Sequence, residues 1–310
     1  MHIAVFLLVV GAAVPPCSTP LSTREVFDHP SNVPVLKTFL TIGDSFTDTG
    51  RTWEDSNHTW PVDPSYQFHR FSNGQIWGEI LAKARGFEYW NTAMAGATAS
   101  NNFIHGYTGV NLHIPVPSAL DQIDAAIEQV GSFSEHTVIA IWIGCNDLFF
   151  STDLKPSVAT DVAAIVKKGA ENLRKAGAKK IIFVSYPDLS RFPFVRLQNN
   201  ETYSQIVHSY SLNLAMELKS ISDKPPNGVR YGYINNYELF ERIFADPKKY
   251  GLNPETVADS CLLGAYPDEN RVRSLCKDVD SRLFFDIYHP TTVGYSLIAK
   301  EAEKALEHVS

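Results

Sequence analysis

Thr41-Ile42-Gly43-Asp44-Ser45-Phe46-Thr47-Asp48-Thr49-Gly50 is the stretch on which the reading of this chain turns. Residues 35–42, VLKTFLTI, contain no Gly or Pro and read as a β-strand. The strand opens into a polar turn, and in an α/β fold strand ends are where ligands and reacting groups collect. Ser45 is therefore the candidate nucleophile. A serine hydroxyl is weakly nucleophilic until a base takes its proton. A base, and a group to orient it, must lie further along the chain.

Beyond this turn, apolar runs alternate with helical periodicity. Residues 87–91, 137–143, 180–185 and 229–234 are four more candidate strands. The run 137–143, TVIAIWI, is almost unbroken, as suits a parallel strand buried on both faces. Ile76, Trp77, Ile80, Leu81 and Ala84 recur at helical spacing, and so do Leu120, Ile123, Ile127 and Val130. Further helices are expected over 157–176, 203–221, 236–244 and 291–308, the last with Pro290 in its first turn. Ser72 or Asn73 is placed to cap the helix that follows it. Segments 51–70, 101–117 and 246–283 read as irregular. The alternation predicts an α/β fold of three layers, α/β/α, with a five-stranded parallel sheet between helices. No linker, repeat or low-complexity tract interrupts it, so residues 35–310 are read as one domain.

The composition agrees. Of 310 residues, 44% are hydrophobic and 20% charged, enough for a full core in an ordinary globular protein. A net charge of −7 weighs against nucleic acid or anionic membrane as a partner. Residues 3–10, IAVFLLVV, are too few to span a bilayer, which takes roughly 20 apolar residues. Small residues follow, and residues 1–18 read as a secretory signal peptide, although no Lys or Arg precedes the apolar run. Secretion fits the two sequons at Asn57 and Asn200. Cys17 falls near the expected cleavage point, and Cys145 is expected as a buried free thiol. Cys261 and Cys276 bracket a polar, turn-rich loop, which suits a disulfide in an oxidising compartment; spacing alone does not fix the connectivity. The histidines show no metal-binding spacing, and no metal or other cofactor is expected. A G-x-S-x-G elbow is also absent from the sequence, which argues against the α/β-hydrolase fold.

Three polar stretches follow the first three strands: Asp44-Ser45, Gly96 within the small-residue run 93–100, and Asn146-Asp147. In a parallel sheet these strand ends share one edge. A fourth stretch, Phe284-Phe285-Asp286-Ile287-Tyr288-His289-Pro290, lies near the C-terminus. Asp286 and His289 are three apart, close enough for the carboxylate to hold one imidazole nitrogen. The other nitrogen is then free to accept the Ser45 proton. Asp44 and Asp147 are read as turn and loop organisers.

Together these stretches resemble the GDSL family of esterases and lipases, in the SGNH hydrolase superfamily. The matching pieces are residues 43–50, residues 91–97 (Asn91-Thr92-Ala93-Met94-Ala95-Gly96-Ala97), Gly144-Cys145-Asn146-Asp147 and residues 286–290, joined by Arg70–Trp77. Phe46 stands where the leucine that names the family is found. The resemblance implies a flavodoxin-like SGNH hydrolase fold and ester hydrolysis. It makes Ser45 the nucleophile, His289 the general base and then acid, and Asp286 its orienter. The Ser45 and Gly96 backbone N–H groups and the Asn146 amide become the oxyanion hole, with Gly96 keeping a side chain away from the oxygen.

Within the family the sequence is most similar to secreted fungal acetylesterases of the carbohydrate esterase family 16 type. That likeness implies an extracellular enzyme acting on small acetylated saccharides derived from hemicellulose. A groove edged by Trp53, Trp60 and Tyr107 would stack sugar rings. The reading includes a monomer without nucleic-acid partner or stable membrane association. Two alternatives stand beside it: the same machinery acting on lipid or aryl esters, and a non-catalytic carbohydrate-binding protein on the same scaffold.

Overall fold

The computed structural model describes residues 36–310 apart from 63, 154 and 156. The expected signal peptide over 1–18 and Cys17 lie outside the described residues. In chain order the first elements are β1 (Thr38–Gly43), α1 (Arg51–Asp55), α2 (Trp77–Arg85), β2 (Glu88–Asn91), β3 (Tyr107–Thr108), β4 (Ile114–Pro115) and α3 (Ala119–Val130). Then come β5 (Thr137–Trp142), α4 (Cys145–Phe150), α5 (Val158–Lys175), β6 (Lys180–Val184), α6 (Pro193–Leu197), α7 (Glu201–Ser222) and β7 (Arg230–Ile234). The chain closes with α8 (Asn236–Ala245), β8 (Leu262–Leu263), β9 (Ser274–Leu275) and α9 (Thr292–Val309).

Five strands make one parallel sheet in the order β2-β1-β5-β6-β7. Counted among themselves they run 2-1-3-4-5, the order of the flavodoxin-like fold that the family resemblance implies. Helices α2 and α9 pack together on one face, and α3, α5 and α7 pack side by side on the other. Every residue of β5 is buried. A strand covered on both faces offers no side chain to water, which is why its sequence shows no alternation. The order reverses between β1 and β5, and a crevice opens there beyond their carboxyl ends.

The end of β1 needs support, because β2 pairs only as far as Thr41. Buried Gln122 of α3 supplies it. Its Oε1 accepts from Gly43 N at 3.0 Å and its Nε2 donates to Gly43 O at 2.9 Å. The amide side chain continues the ladder where the strand has stopped.

Several local expectations are corrected. Residues 51–70 are not wholly irregular, since α1 lies within them, and α4 and α6 are helices the periodicity did not reveal. Helices of five or six residues are shorter than two turns, too short for a repeat to register. Thr291, not a residue further upstream, caps α9, its side chain accepting from Gly294 N at 3.1 Å, so Pro290 lies outside the helix. Ser72 and Asn73 do not cap α2. Ser72 Oγ donates to Pro290 O at 2.9 Å, and Asn73 Oδ1 accepts from Thr292 N at 2.8 Å. They tie the loop before α2 to the residues just after His289. Cys261 and Cys276 form a disulfide with Cα atoms 4.8 Å apart, and Cys145 is a buried free thiol. Among the described residues no helix is long and apolar enough to cross a membrane.

Gln122→Leu keeps the volume but leaves the Gly43 N–H buried without its acceptor. The expected cost is about 1–3 kcal/mol, read as a lower urea midpoint with an unchanged slope.

Candidate active site

Ser45 sits in the turn after β1, and Asp286 and His289 lie in the segment leading into α9; all three are buried. Ser45 Oγ is 2.8 Å from His289 Nε2. The other ring nitrogen, Nδ1, is 2.9 Å from Asp286 Oδ2 and 3.0 Å from Oδ1. A carboxylate accepting at Nδ1 fixes the tautomer in which Nε2 is the acceptor. The imidazole lies between Phe46 and Phe71, each with its ring centroid 5.2 Å away.

Asp286 is saturated with donors. Its Oδ1 accepts from Tyr288 N and His289 N, both at 2.7 Å. Its Oδ2 accepts from Tyr66 Oη at 2.7 Å and Tyr266 Oη at 3.3 Å. Burial acts to raise its pKa, but His289 and these donors outweigh it and hold the carboxyl below the usual range. Asp286 is thus ionised beside the imidazole.

Gly96 follows β2 with φ +84°. Asn146 occupies the first turn of α4, and its Nδ2 donates to Ala97 O at 2.9 Å. The same Nδ2 also reaches Asp44 Oδ2, at a long 3.5 Å. Among the described residues neither the Ser45 nor the Gly96 backbone N–H has a protein acceptor. All three groups border the same cavity as His289. The structure therefore brings together a hydroxyl, an imidazole, a carboxylate on its far nitrogen, two backbone N–H groups and the Asn146 amide. Such a set can form an alkoxide and receive the negative oxygen of an acyl adduct. A Cβ at 96 would stand 1.9 Å from the carbonyl oxygen of Tyr107, so the approach of β3 by itself requires glycine there.

A sequence profile described as GDSL-like Lipase/Acylhydrolase matches residues 39–302. This chain belongs to that family. The GDSL chain is accordingly a carboxylic ester hydrolase. The thermolabile hemolysin of Vibrio parahaemolyticus is 27% identical over 277 residues, covering 86% of this chain and 62% of the hemolysin. The phosphatidylcholine-sterol acyltransferase of Aeromonas hydrophila is 28% identical over 320 residues, covering 88% of this chain and 91% of its own. A solved structure of a lipolytic G-D-S-L family protein from Veillonella parvula superposes with a TM-score of 0.48 at 13% identity, covering 87% of this chain and 98% of that one.

The loops of this GDSL hydrolase are held by buried carboxylates. Asp48 escaped the sequence reading, although an Asp two residues before Gly50 and four before Thr52 is a recognisable helix-entry pattern. Its Oδ1 accepts from Gly50 N and Arg51 N, both at 2.8 Å, and its Oδ2 from Thr52 N and Ala95 N, both at 3.1 Å. It starts α1 and joins the Ser45 turn to the Gly96 loop. Asp44 accepts from Phe46 N at 3.0 Å and from the Tyr186 hydroxyl; burial raises its pKa to about 6 against those donors and nearby His289. Both oxygens of Asp147 accept from Ala99 N; burial raises its pKa to about 7, and the charge of Asp44 adds to the effect. Burial, with Asp44 and Asp147 nearby, also pushes the Cys145 thiol far up, so it stays protonated and inert.

The cavity beside Ser45 has a volume of about 510 Å³. Trp60 and Tyr107 line it as anticipated, together with Phe71, Phe149, Tyr266 and Tyr288. Trp53 does not. Its indole stacks on His69 at 3.9 Å between centroids and 5° between planes, and on His58 at 5.3 Å and 19°. These flat contacts keep it on the far side of the loop. Of the aromatics the sequence reading left out, Tyr288 was the most accessible, because it stands inside the Asp-x-x-His block.

Gly96→Ala should cost stability by about 1–2 kcal/mol from the left-handed backbone alone. Displacing that N–H should also lower kcat by at least about a hundredfold, measured by steady-state hydrolysis of a small acetate ester. A second expectation concerns pH. An acid whose folded pKa of about 7 exceeds its unfolded value of 3.8 destabilises the fold progressively as pH rises between them. Asp147→Asn should therefore gain stability relative to wild type from about pH 4 to about pH 7, with no further change above, in unfolding curves taken across that range.

Proposed function

We propose that this chain is a secreted serine esterase that removes acetyl groups from sugars, such as hemicellulose-derived saccharides, through an acyl-enzyme on Ser45. The observation that carries this reading is the 2.8 Å bond between Ser45 Oγ and His289 Nε2, opening onto a cavity walled by aromatic rings. His289 Nε2 takes the hydroxyl proton as Oγ attacks the ester carbonyl carbon. The carbonyl oxygen becomes an oxyanion facing the Ser45 and Gly96 N–H groups and the Asn146 amide. Each such donor is worth about 2.7–4 kcal/mol in comparable sites. Asp286 stabilises the imidazolium. His289 then returns the proton to the departing sugar oxygen, leaving acetyl on Ser45. A water, deprotonated by the same Nε2, repeats the attack and releases acetate.

The faces of Trp60 and Tyr107 suit apolar sugar-ring faces. The sequence likeness to carbohydrate esterase family 16 acetylesterases supports the same substrate class. Secretion is supported by the leader read over residues 1–18, by the disulfide, and by the exposure of both sequon asparagines, Asn57 and Asn200, as glycan sites. Residues 35–310 act as one catalytic domain, and since all five groups come from one chain, a monomer suffices. A second reading is esters of lipids. It is favoured by the names of two relatives, a hemolysin and a phosphatidylcholine-sterol acyltransferase.

Two measurements test the proposal. Ser45→Ala should lower kcat on a chromogenic acetate by at least about 10⁴-fold; equal rates would remove the enzyme reading. Across an acyl series from acetate to laurate, kcat/KM should be greatest for acetate and fall by at least about tenfold. A maximum at the long chains would replace sugar acetates with lipid esters.

A further inference from the structure

Two phenol hydroxyls converge on one oxygen of Asp286. Tyr66 comes from the loop between α1 and α2, which also sends Trp60 and Phe71 to the cavity wall. Tyr266 comes from the ring of chain closed by Cys261 and Cys276, and its own side chain lines the cavity. The Tyr66 ring packs against Phe285 and Phe71 at centroid distances of 5.3 and 5.9 Å. The Tyr266 ring packs against Tyr288 and Trp60 at 4.9 and 5.7 Å. Both hydroxyls donate to Oδ2, opposite the two backbone donors on Oδ1. Burial, and then the charge of Asp286, push the Tyr266 hydroxyl far above its ordinary range, so it stays a donor.

We propose that Tyr66 and Tyr266 are positioning residues that clamp the Asp286 carboxylate and thereby set the basicity of His289, linking both cavity loops to the base. This rests on the reading of His289 as the general base. A carboxylate that shares its charge among five donors is a weaker partner for an imidazolium than one with three. Removing a hydroxyl concentrates charge on Asp286 and stabilises the protonated imidazole. The base is then neutral only at higher pH. It also leaves Oδ2 free to swing, which loosens the hold on Nδ1. Because the Tyr266 ring borders the cavity, a leaving group seated against it bears on the same hydroxyl that holds Asp286.

Other groups also face this pair. Asp44 lies near His289 from the turn after β1, Tyr295 of α9 lies near Asp286, and Tyr288 stands beside them both in sequence. Among the described residues both phenol hydroxyls donate to Asp286 Oδ2, and a Tyr→Phe change at 66 or 266 removes that contact while keeping the ring. Phe46 and Phe71, which flank the imidazole, carry no charge.

The test is the pH dependence of kcat/KM for a small acetate ester in Tyr66→Phe, Tyr266→Phe and the double variant, with Ser45→Ala alongside. The phenyl rings retain the packing, so thermal midpoints should stay close to wild type. The apparent pKa of the acid limb should rise by roughly 0.3–1 unit per hydroxyl removed and by more in the double variant. The kcat at the optimum should fall by about threefold to tenfold, with KM changed by less than about twofold. A merely structural role would lower both rate and melting point without moving the limb. A folded double variant with the wild-type limb overturns the inference. If Ser45→Ala is inactive in that case, the serine-esterase reading survives; if Ser45→Ala is as active as wild type, the esterase reading itself fails. Tyr266 is only half-buried, so if Tyr66→Phe does not fold, Tyr266→Phe alone decides, read through the same limb.

Discussion

The site is assembled from loops, and loops have no ladder to satisfy their backbone N–H groups. In this protein four buried aspartates take on that task. Asp44 collects the N–H of Phe46, Asp48 those of Gly50, Arg51, Thr52 and Ala95, Asp147 that of Ala99, and Asp286 those of Tyr288 and His289. A carboxylate accepts in about four directions and donates in none when ionised, so one side chain can fix a whole turn. The cost is desolvation, visible in the raised pKa of Asp44 and Asp147. Asp286 bears the same cost, but His289 beside it and the donors around it outweigh burial and lower its pKa.

Positioning the imidazole is the harder half of the problem, since His289 stands 244 residues from Ser45. The segment that carries it is gripped from several sides. Cys261 N donates to Phe284 O and Leu262 N to Phe285 O, while Phe194 N donates to Ile287 O. Ser72 and Asn73 hold the residues just beyond. The gripping segments border the crevice or touch its wall: Phe71 precedes Ser72, Tyr266 follows Leu262, and Phe194 packs on Phe149 and Tyr288. The shape of the crevice wall and the placement of the imidazole are therefore properties of the same backbone.

How much of this was legible in the sequence follows from range. The sheet was legible because burial on both faces of β5 and β6 leaves continuous apolar runs. Ser45, Gly96, Asn146, Asp286 and His289 were legible because each sits at a strand end or in a short block whose chemistry is local. Trp53 and Trp60 look alike in sequence, yet one stacks on two histidines and the other walls the cavity; only the path of the loop separates them. Ser72 and Asn73 look like caps for the helix that follows them, but their partners lie more than 200 residues away. The contact of Tyr66 and Tyr266 with Asp286 was not legible, because a tyrosine in an irregular segment gives no hint of which carboxylate its hydroxyl will meet.

Because the strands are parallel, the candidate site gathers at their carboxyl ends and the amino ends form a plain rear side. The corners there turn through Gly86, Gly131 and Gly228, each with a left-handed backbone and nothing packed over it. Helix α9 starts beside His289 and runs back to that side, where Arg230 at the foot of β7 donates to the carbonyls of Val309 and Ser310. A tether attached after Ser310, to a bead or an electrode, would hold the molecule by its rear and leave the mouth pointing into solution.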